Sequence, residues 1–299
     1  MSLKALDIHV HPADAQSQVD LFGRELAEHF YTYFRGVVPA TPMDEVAEAY
    51  RQREMGAILL ALDVETETGR KGNTNEEVAA CVARHPDVFA GFASVDPWKG
   101  KKAVQELERA ITELGLCGLK LHPIAQGFFA DERRFYPLWA KCVELGIPAL
   151  FHTGQTGWGA GTPGGSGAKL KYGKPIPHLD DIAADFPELT IVLAHPSFPW
   201  QDEALSVAVH KSNVFIDLSG WAPRYFPPQL VQYARTVLQD KCLFGSDYPV
   251  LSPERWLTEF HELGLPPEVE EKILWRNALR VLTHPNARPL VERFGDGGA

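Results

Sequence analysis

A single (β/α)8 barrel is the fold class that this sequence predicts. Two observations carry the prediction: eight short apolar runs alternate with segments of helical period, and histidines gather at the ends of the runs. The runs are 5–11, 56–62, 88–95, 117–121, 148–152, 190–194, 214–218 and 242–244. Each is apolar almost throughout, as in strands of a parallel sheet covered on both faces, where a half-exposed strand would alternate. No polar linker divides the chain, so one domain over 1–299 is expected, with the barrel spanning 5–282 and a polar tail over 283–299. A doubly wound open sheet would need a glycine-rich phosphate turn after its first strand, and none follows.

The first run reads Leu6-Asp7-Ile8-His9-Val10-His11-Pro12. Residues two apart share one side of a strand, so His9 and His11 are expected to project together, with Leu6, Ile8 and Val10 facing the outer packing. In 101–115, Val104, Leu107, Ile111 and Leu114 mark one helical face that Gly115 ends. In 131–145, Phe135, Leu138, Trp139, Cys142 and Val143 do the same, with Asp131 placed to cap the start and Gly146 the end. Further helices are expected at 75–84, 178–185, 201–211, 227–239 and 253–263, and a last one at 268–282, with the tail closing the base or covering a neighbour. Two excursions break the spacing. Residues 12–55 include an aromatic piece from Phe22 to Phe34, and 154–176 are crowded with glycine. In a barrel both leave from the C-terminal face, where active sites are built, and the second reads as a mobile flap carrying Trp158, Lys169 and Lys171.

Composition narrows the partners. The apolar fraction of 45% suits a sizeable core, and a net charge of −10 with no basic block argues against nucleic acid. A small anionic substrate remains compatible, because a few cations inside a cleft reverse the local field. There is no apolar run long enough for a membrane span, and no basic segment followed by an apolar run opens the chain. Cys81, Cys117, Cys142 and Cys242 lie far apart in apolar surroundings and read as core thiols of a reducing compartment. A cytoplasmic protein is expected.

The chemistry gathers at the strand ends. Strand one ends in His9 and His11, strand four in Lys120 and His122, strand five in His152, strand six in His195, and strand eight runs into Ser246-Asp247-Tyr248-Pro249. Five of the chain's eleven histidines thus point at one mouth. Paired imidazoles at the end of a buried strand suit a shared metal ion, where isolated core histidines would scatter.

In Asp7-Ile8-His9-Val10-His11-Pro12, Phe151-His152-Thr153-Gly154, Ala194-His195-Pro196 and Gly245-Ser246-Asp247-Tyr248-Pro249, taken in that order, the chain resembles the amidohydrolase superfamily. The likeness is greatest to the branch that holds aminocarboxymuconate-semialdehyde decarboxylase and γ-resorcylate decarboxylase. The resemblance implies one divalent metal, zinc by expectation, held by His9, His11, His152 and Asp247, with His195 beside it positioning or activating water. Such a site lowers the pKa of a bound water to about 7. The alternative reading has Asp247 as the base, with the metal elsewhere. Lys120 has three readings: an unmodified contact to substrate or water, a carbamylated bridge to a second metal as in binuclear relatives, or a buried ion pair with Asp7 or Asp217. Substrate contacts are expected from Lys120, His122, Trp158, Trp221, Arg224 and Tyr248, with Arg224 as the carboxylate clamp.

Hydrolysis and non-oxidative decarboxylation need nearly the same site. After His195 comes Pro196-Ser197-Phe198-Pro199-Trp200, a bulkier wall than the turn expected of the decarboxylases. Metal-dependent hydrolysis of a small carbonyl- or carboxylate-bearing compound is therefore the first reading, and a carboxy-lyase acting on an aromatic or muconate-like acid the second. A metal-braced scaffold without catalysis is the reading from another class. A homodimer, with 22–34 at its contact, is also expected.

Overall fold

The computed structural model describes residues 4–12, 14–36 and 40–295. Eight parallel strands pair in chain order: β1 (Ala5–Val10), β2 (Met55–Leu60), β3 (Phe89–Ser94), β4 (Leu119–Leu121), β5 (Ala149–His152), β6 (Ile191–Ala194), β7 (Val214–Asp217) and β8 (Cys242–Leu243). The ring closes between the last strand and the first. The Ile8 amide donates to the Phe244 carbonyl at 3.0 Å, Asp247 to His9 at 2.9 Å and His11 to Tyr248 at 2.8 Å. The chain is a (β/α)8 barrel, and each apolar run of the sequence contributes one of its strands.

Two apolar layers hold it. Leu6, Ile8, Ile58, Phe92, Leu150 and Val192 fill the interior. Leu59, Leu121, Phe151 and Leu193 pack outward on the helices, against Trp139 among others. The tail is more than a polar strap. Its helix Arg288–Gly295 turns Leu290 and Phe294 into the interior cluster and plugs the base. The helix expected from 131 starts at Tyr136, after a short 3-10 turn (Arg133–Phe135), and Asp131 does not cap it. Asp131 instead pairs with His178 at 2.7 Å.

Strict alternation fails on β1. Leu6 and Ile8 face the interior while Val10 packs outward with the helix layer, so the three do not share a side. The pairing of β1 with β2 shifts register between Asp7 and Val10. An extra residue at such a bulge turns the chain by half a pleat. His9 and His11 consequently both reach the mouth although Ile8 also points inward.

The first excursion folds as α1 (Ala15–Phe22), α2 (Arg24–Tyr33) and α3 (Met43–Gln52). Asp14 caps α1 by accepting from the Ser17 amide at 2.9 Å. From α3, Tyr50 reaches under the barrel closure to Asp7. The Asp7 carboxylate is fully buried and accepts from Tyr50 Oη at 2.9 Å, Ser246 N at 2.9 Å, Ser246 Oγ at 2.5 Å and His9 N at 3.2 Å. Burial pushes its pKa up to about 6 even with those four donors pulling it down.

A buried donor stripped of its acceptor costs about 1–3 kcal/mol. Asp7→Ala strands several at once, so it is expected to lower unfolding stability by about 3 kcal/mol or more, against about 1 kcal/mol for Tyr50→Phe. Urea unfolding of the two variants, read as midpoints at constant slope, checks the order.

Candidate active site

The strand ends converge on one group of donors. His9 Nε2 and His11 Nε2 each lie 3.4 Å from Asp247 Oδ1. Asp247 sits at φ +64°, a left-handed conformation that aspartate tolerates better than most residues, and this swings its carboxylate back over β1. Ligand atoms of His9, His195 and Asp247 all lie within 4.8 Å of one another, and His195 Nε2 is 3.1 Å from His152 Nδ1. His11 Nδ1 and His152 Nε2 are buried with no hydrogen-bond partner among the described residues. Orphaned imidazole nitrogens beside a carboxylate are what a metal site presents when its donors are read alone. The donor set fits a divalent cation.

The supporting contacts are polar and close. His9 Nδ1 meets Asp217 Oδ2 at 2.6 Å, fixing which nitrogen faces the centre. The His152 ring stacks on His122 at 3.9 Å between centroids and 8° between planes. His122 is itself held at both nitrogens, with Nδ1 accepting from the Ala125 amide at 3.2 Å and Nε2 meeting Thr156 Oγ1 at 3.1 Å.

Burial, with the Lys120 charge and other imidazoles behind it, holds His9 and His152 well below the ordinary histidine range. Neutral imidazole is the form that binds metal. Burial likewise pushes His195 down to about 4, against the pull of Asp247. For Asp247 burial works upward, but the hydrogen bond with His11 and the neighbouring His195 and Lys120 outweigh it and hold the carboxyl below its usual range. Lys120 is driven down by burial, and the Asp247 and Asp217 carboxylates only partly restore it.

These groups form the floor of a cleft of about 380 Å³. Its walls are aromatic: Phe22, Phe30, Tyr31 and Phe34 come from the first excursion, Trp158 from the second, and Trp221 and Tyr225 from the segment after β7.

Residues 6–283 match the family described as Amidohydrolase. The chain belongs to the amidohydrolase family. A relative of known name is the decarboxylase orsB of Emericella nidulans, 26% identical over 253 residues that cover 68% of this chain and 73% of that protein. Among solved structures, an uncharacterized TIM-barrel protein from Bordetella bronchiseptica matches with a TM-score of 0.78 at 26% identity, over 96% of this chain and 100% of that one. A dihydroxybenzoic acid decarboxylase from Polaromonas, solved with bound manganese and the inhibitor 2-nitroresorcinol, matches at 0.63 and 19% identity over 96% and 98%, a likeness of fold.

Against this amidohydrolase barrel the expected site residues can be located. His9, His11, Lys120, His122, His152, Trp158, His195, Trp221 and Asp247 all line the one cleft. Arg224 and Tyr248 do not. Arg224 is half exposed, with its guanidinium 3.3 Å from Glu259, while Tyr248 lends its backbone to the barrel closure. Arg255, one helix further on, lines the cleft instead and shares Glu259 at 2.9 Å. Lys120 makes no ion pair with Asp7 or Asp217, whose oxygens are taken by other donors; it reaches His9 Nε2 at 3.1 Å. The Pro196–Trp200 segment is no wall of the site. Ser197 packs under the Gly154 turn and hydrogen-bonds Thr153 at 2.6 Å, and Phe198 lies outside against Trp221.

The glycine-rich stretch is packed down at its two ends, around Trp158 and Gly173, while residues 161–171 run over the surface. Trp158 is 9% exposed, clusters with Leu21, Leu62 and Val64, and lies 4.9 Å from the Phe22 ring. Lys171 sits over the Phe129 ring at 5.2 Å. Truncating a buried tryptophan costs about 3–5 kcal/mol, here local to one loop and the helices beneath it. Trp158→Ala is expected to open 154–176 to proteolysis while the barrel stays folded, as limited digestion with mass analysis of the cut sites would show.

Proposed function

We propose that this chain is a metal-dependent, non-oxidative decarboxylase of an aromatic carboxylic acid. One observation supports it above others: the cluster of imidazoles with Asp247 opens directly into an aromatic-walled cleft with room for a substituted ring. The decarboxylase named above, alike over 68% of this chain, supports the same reaction, and the bulk after His195 that favoured hydrolysis lies outside the cleft.

His9, His11, His152 and Asp247 are assigned as the residues that hold the metal, zinc or manganese. When bound, the ion supplies fixed positive charge that orients an anionic substrate and offsets charge developing in the reaction. The protein supplies the rest. The ring lies between the Trp158 and Trp221 sides of the cleft, excluding water. Lys120 and, at the rim, Arg255 bring the cations that draw a carboxylate in. The bond between ring carbon and carboxyl carbon breaks, CO2 leaves, and the electron pair left on the ring takes a proton from His195 Nε2, which is recharged from solvent. A buried anionic substrate raises the proton affinity of His195 from its low value in the empty cleft, so the group gains its proton when it is needed.

The full-length protein, metal-loaded and offered dihydroxybenzoates and methoxylated hydroxybenzoates, is expected to release CO2, to stop on chelation and to recover on adding Mn2+ or Zn2+. The His9→Ala, His11→Ala double variant is expected to lose about one ion per chain by elemental analysis. His195→Ala is expected to keep its metal and lose about 10²–10⁴-fold in kcat. Ester or lactone hydrolysis without CO2 release would return the site to a hydrolase, and a His195→Ala variant unaltered in every respect would favour a scaffold.

A further inference from the structure

Ser219, two residues past the end of β7, is fully buried and touches three polar groups at once. Its Oγ lies 2.7 Å from Asp217 Oδ2, 2.8 Å from His195 Nδ1 and 3.0 Å from His9 Nδ1. A hydroxyl has one proton to give and two lone pairs with which to accept. Where that proton goes decides the protonation pattern of the ring beside it.

The surrounding donors settle the direction. His9 Nδ1 meets the Asp217 carboxylate at 2.6 Å, closer than any partner of its Nε2, so His9 carries its proton on Nδ1 and turns a bare Nε2 to the centre, 3.1 Å from Lys120 Nζ. That proton goes to Asp217 Oδ2 at 2.6 Å, and Asp217 Oδ1 accepts the Ser219 amide at 2.9 Å. Asp217 is therefore an acceptor on every side, and the Ser219 hydroxyl donates to it. The Ser219 oxygen then faces His195 Nδ1 as an acceptor. We propose that Ser219 is a positioning residue that fixes His195 in the tautomer protonated at Nδ1, leaving Nε2 as its bare nitrogen.

A second feature of the fold serves the same contact. Gly220 sits at φ +74°, and a Cβ there would come within 2.5 Å of His195 Nδ1. The imidazole lies flush on the backbone of residue 220 because no side chain intervenes, and this brings its Nδ1 within reach of Ser219. Nε2 consequently faces His152 Nδ1 at 3.1 Å, as acceptor to that donor.

This assignment rests on His195 handling the proton in the proposed decarboxylation, but its first test needs no substrate. The full chain, zinc-loaded and labelled with nitrogen-15 in histidine, reports each ring tautomer by long-range proton–nitrogen correlation, with His195 identified by the signals missing in His195→Gln. A protonated Nδ1 and bare Nε2 at neutral pH are expected. Proton on Nε2 in the wild type would overturn the proposal. Ser219→Ala is expected to leave His195 exchanging between tautomers, with kcat down about 10- to 100-fold and metal content unchanged. Ser219→Thr, which keeps the hydroxyl, is expected to recover the tautomer. An unaltered tautomer in Ser219→Ala would equally overturn it. The expected tautomers with no CO2 release from any acid would count against the reaction and leave the role of Ser219 standing.

Discussion

The hydrogen bonds that close the barrel between β1 and β8 are the constraint on which the site depends. His9 and His11 arrive on the first strand and Asp247 on the turn after the last, more than two hundred residues away in sequence. They meet because Asp7, two residues before His9, accepts both the amide and the hydroxyl of Ser246, one residue before Asp247. The backbone bonds from Asp247 to His9 and from His11 to Tyr248 finish the seam. A metal site tolerates misplacement of only about half an ångström, so donors drawn from opposite ends of a chain need a stiff joint between them. Placing a carboxylate at the seam makes the joint short and directional in a way that apolar packing does not.

The electrostatics of the floor follow from its dryness. Inside a low-dielectric cleft every charged form is disfavoured unless partnered, and the site answers with neutral rings around a single strongly supported carboxylate, Asp247. Lys120 and Asp217 are both pushed by burial toward their neutral forms. A divalent cation would push Lys120 further in that direction and return Asp217 firmly to the anion. The outer carboxylate is thus a counter-charge held in reserve one imidazole away from the centre, and the same atoms set the orientation of His9 and the donor direction of Ser219.

Much of this was legible in the sequence, for physical reasons that also mark where reading fails. Strands buried on both faces are apolar runs, so the barrel could be counted out directly, and ends of parallel strands share one rim, so His122, His152 and His195 could be placed together from the sequence alone. The alternation rule failed on β1, where a register shift lets Ile8 and His9 both turn inward. Ser219, Tyr31 and Arg255 leave no signal of their own: a serine after a strand, a tyrosine in an aromatic helix and an arginine one turn into another helix are ordinary in isolation. Arg224 looked the better clamp because it lies nearer a strand end, yet Glu259 binds both guanidiniums and the helix Pro253–His261 aims the other one at the cleft. The glycines of 154–176 suggested looseness, but glycine permits close approach as well as freedom. Gly157 lies hard against the Phe30 and Phe34 rings, where a Cβ would collide.

The choice between hydrolysis and decarboxylation therefore turns on the walls, since the floor serves either. Hydrolysis needs a water held against the carbonyl and a path for more water to follow. Loss of CO2 needs the opposite, a dry enclosure in which a ring lies flat while a proton reaches one carbon. Phe22, Phe30 and Trp158 stack on one another across two excursions of the chain, with ring centroids 4.8 and 4.9 Å apart. Such a stack presents π faces and few hydrogen-bonding groups, so it holds a planar ring in place and has little with which to order a water. Two long loops of different composition have converged to build that wall over the histidine-lined floor, and a wall of this kind is suited to keeping solvent away from an aryl anion in the moment before it is protonated.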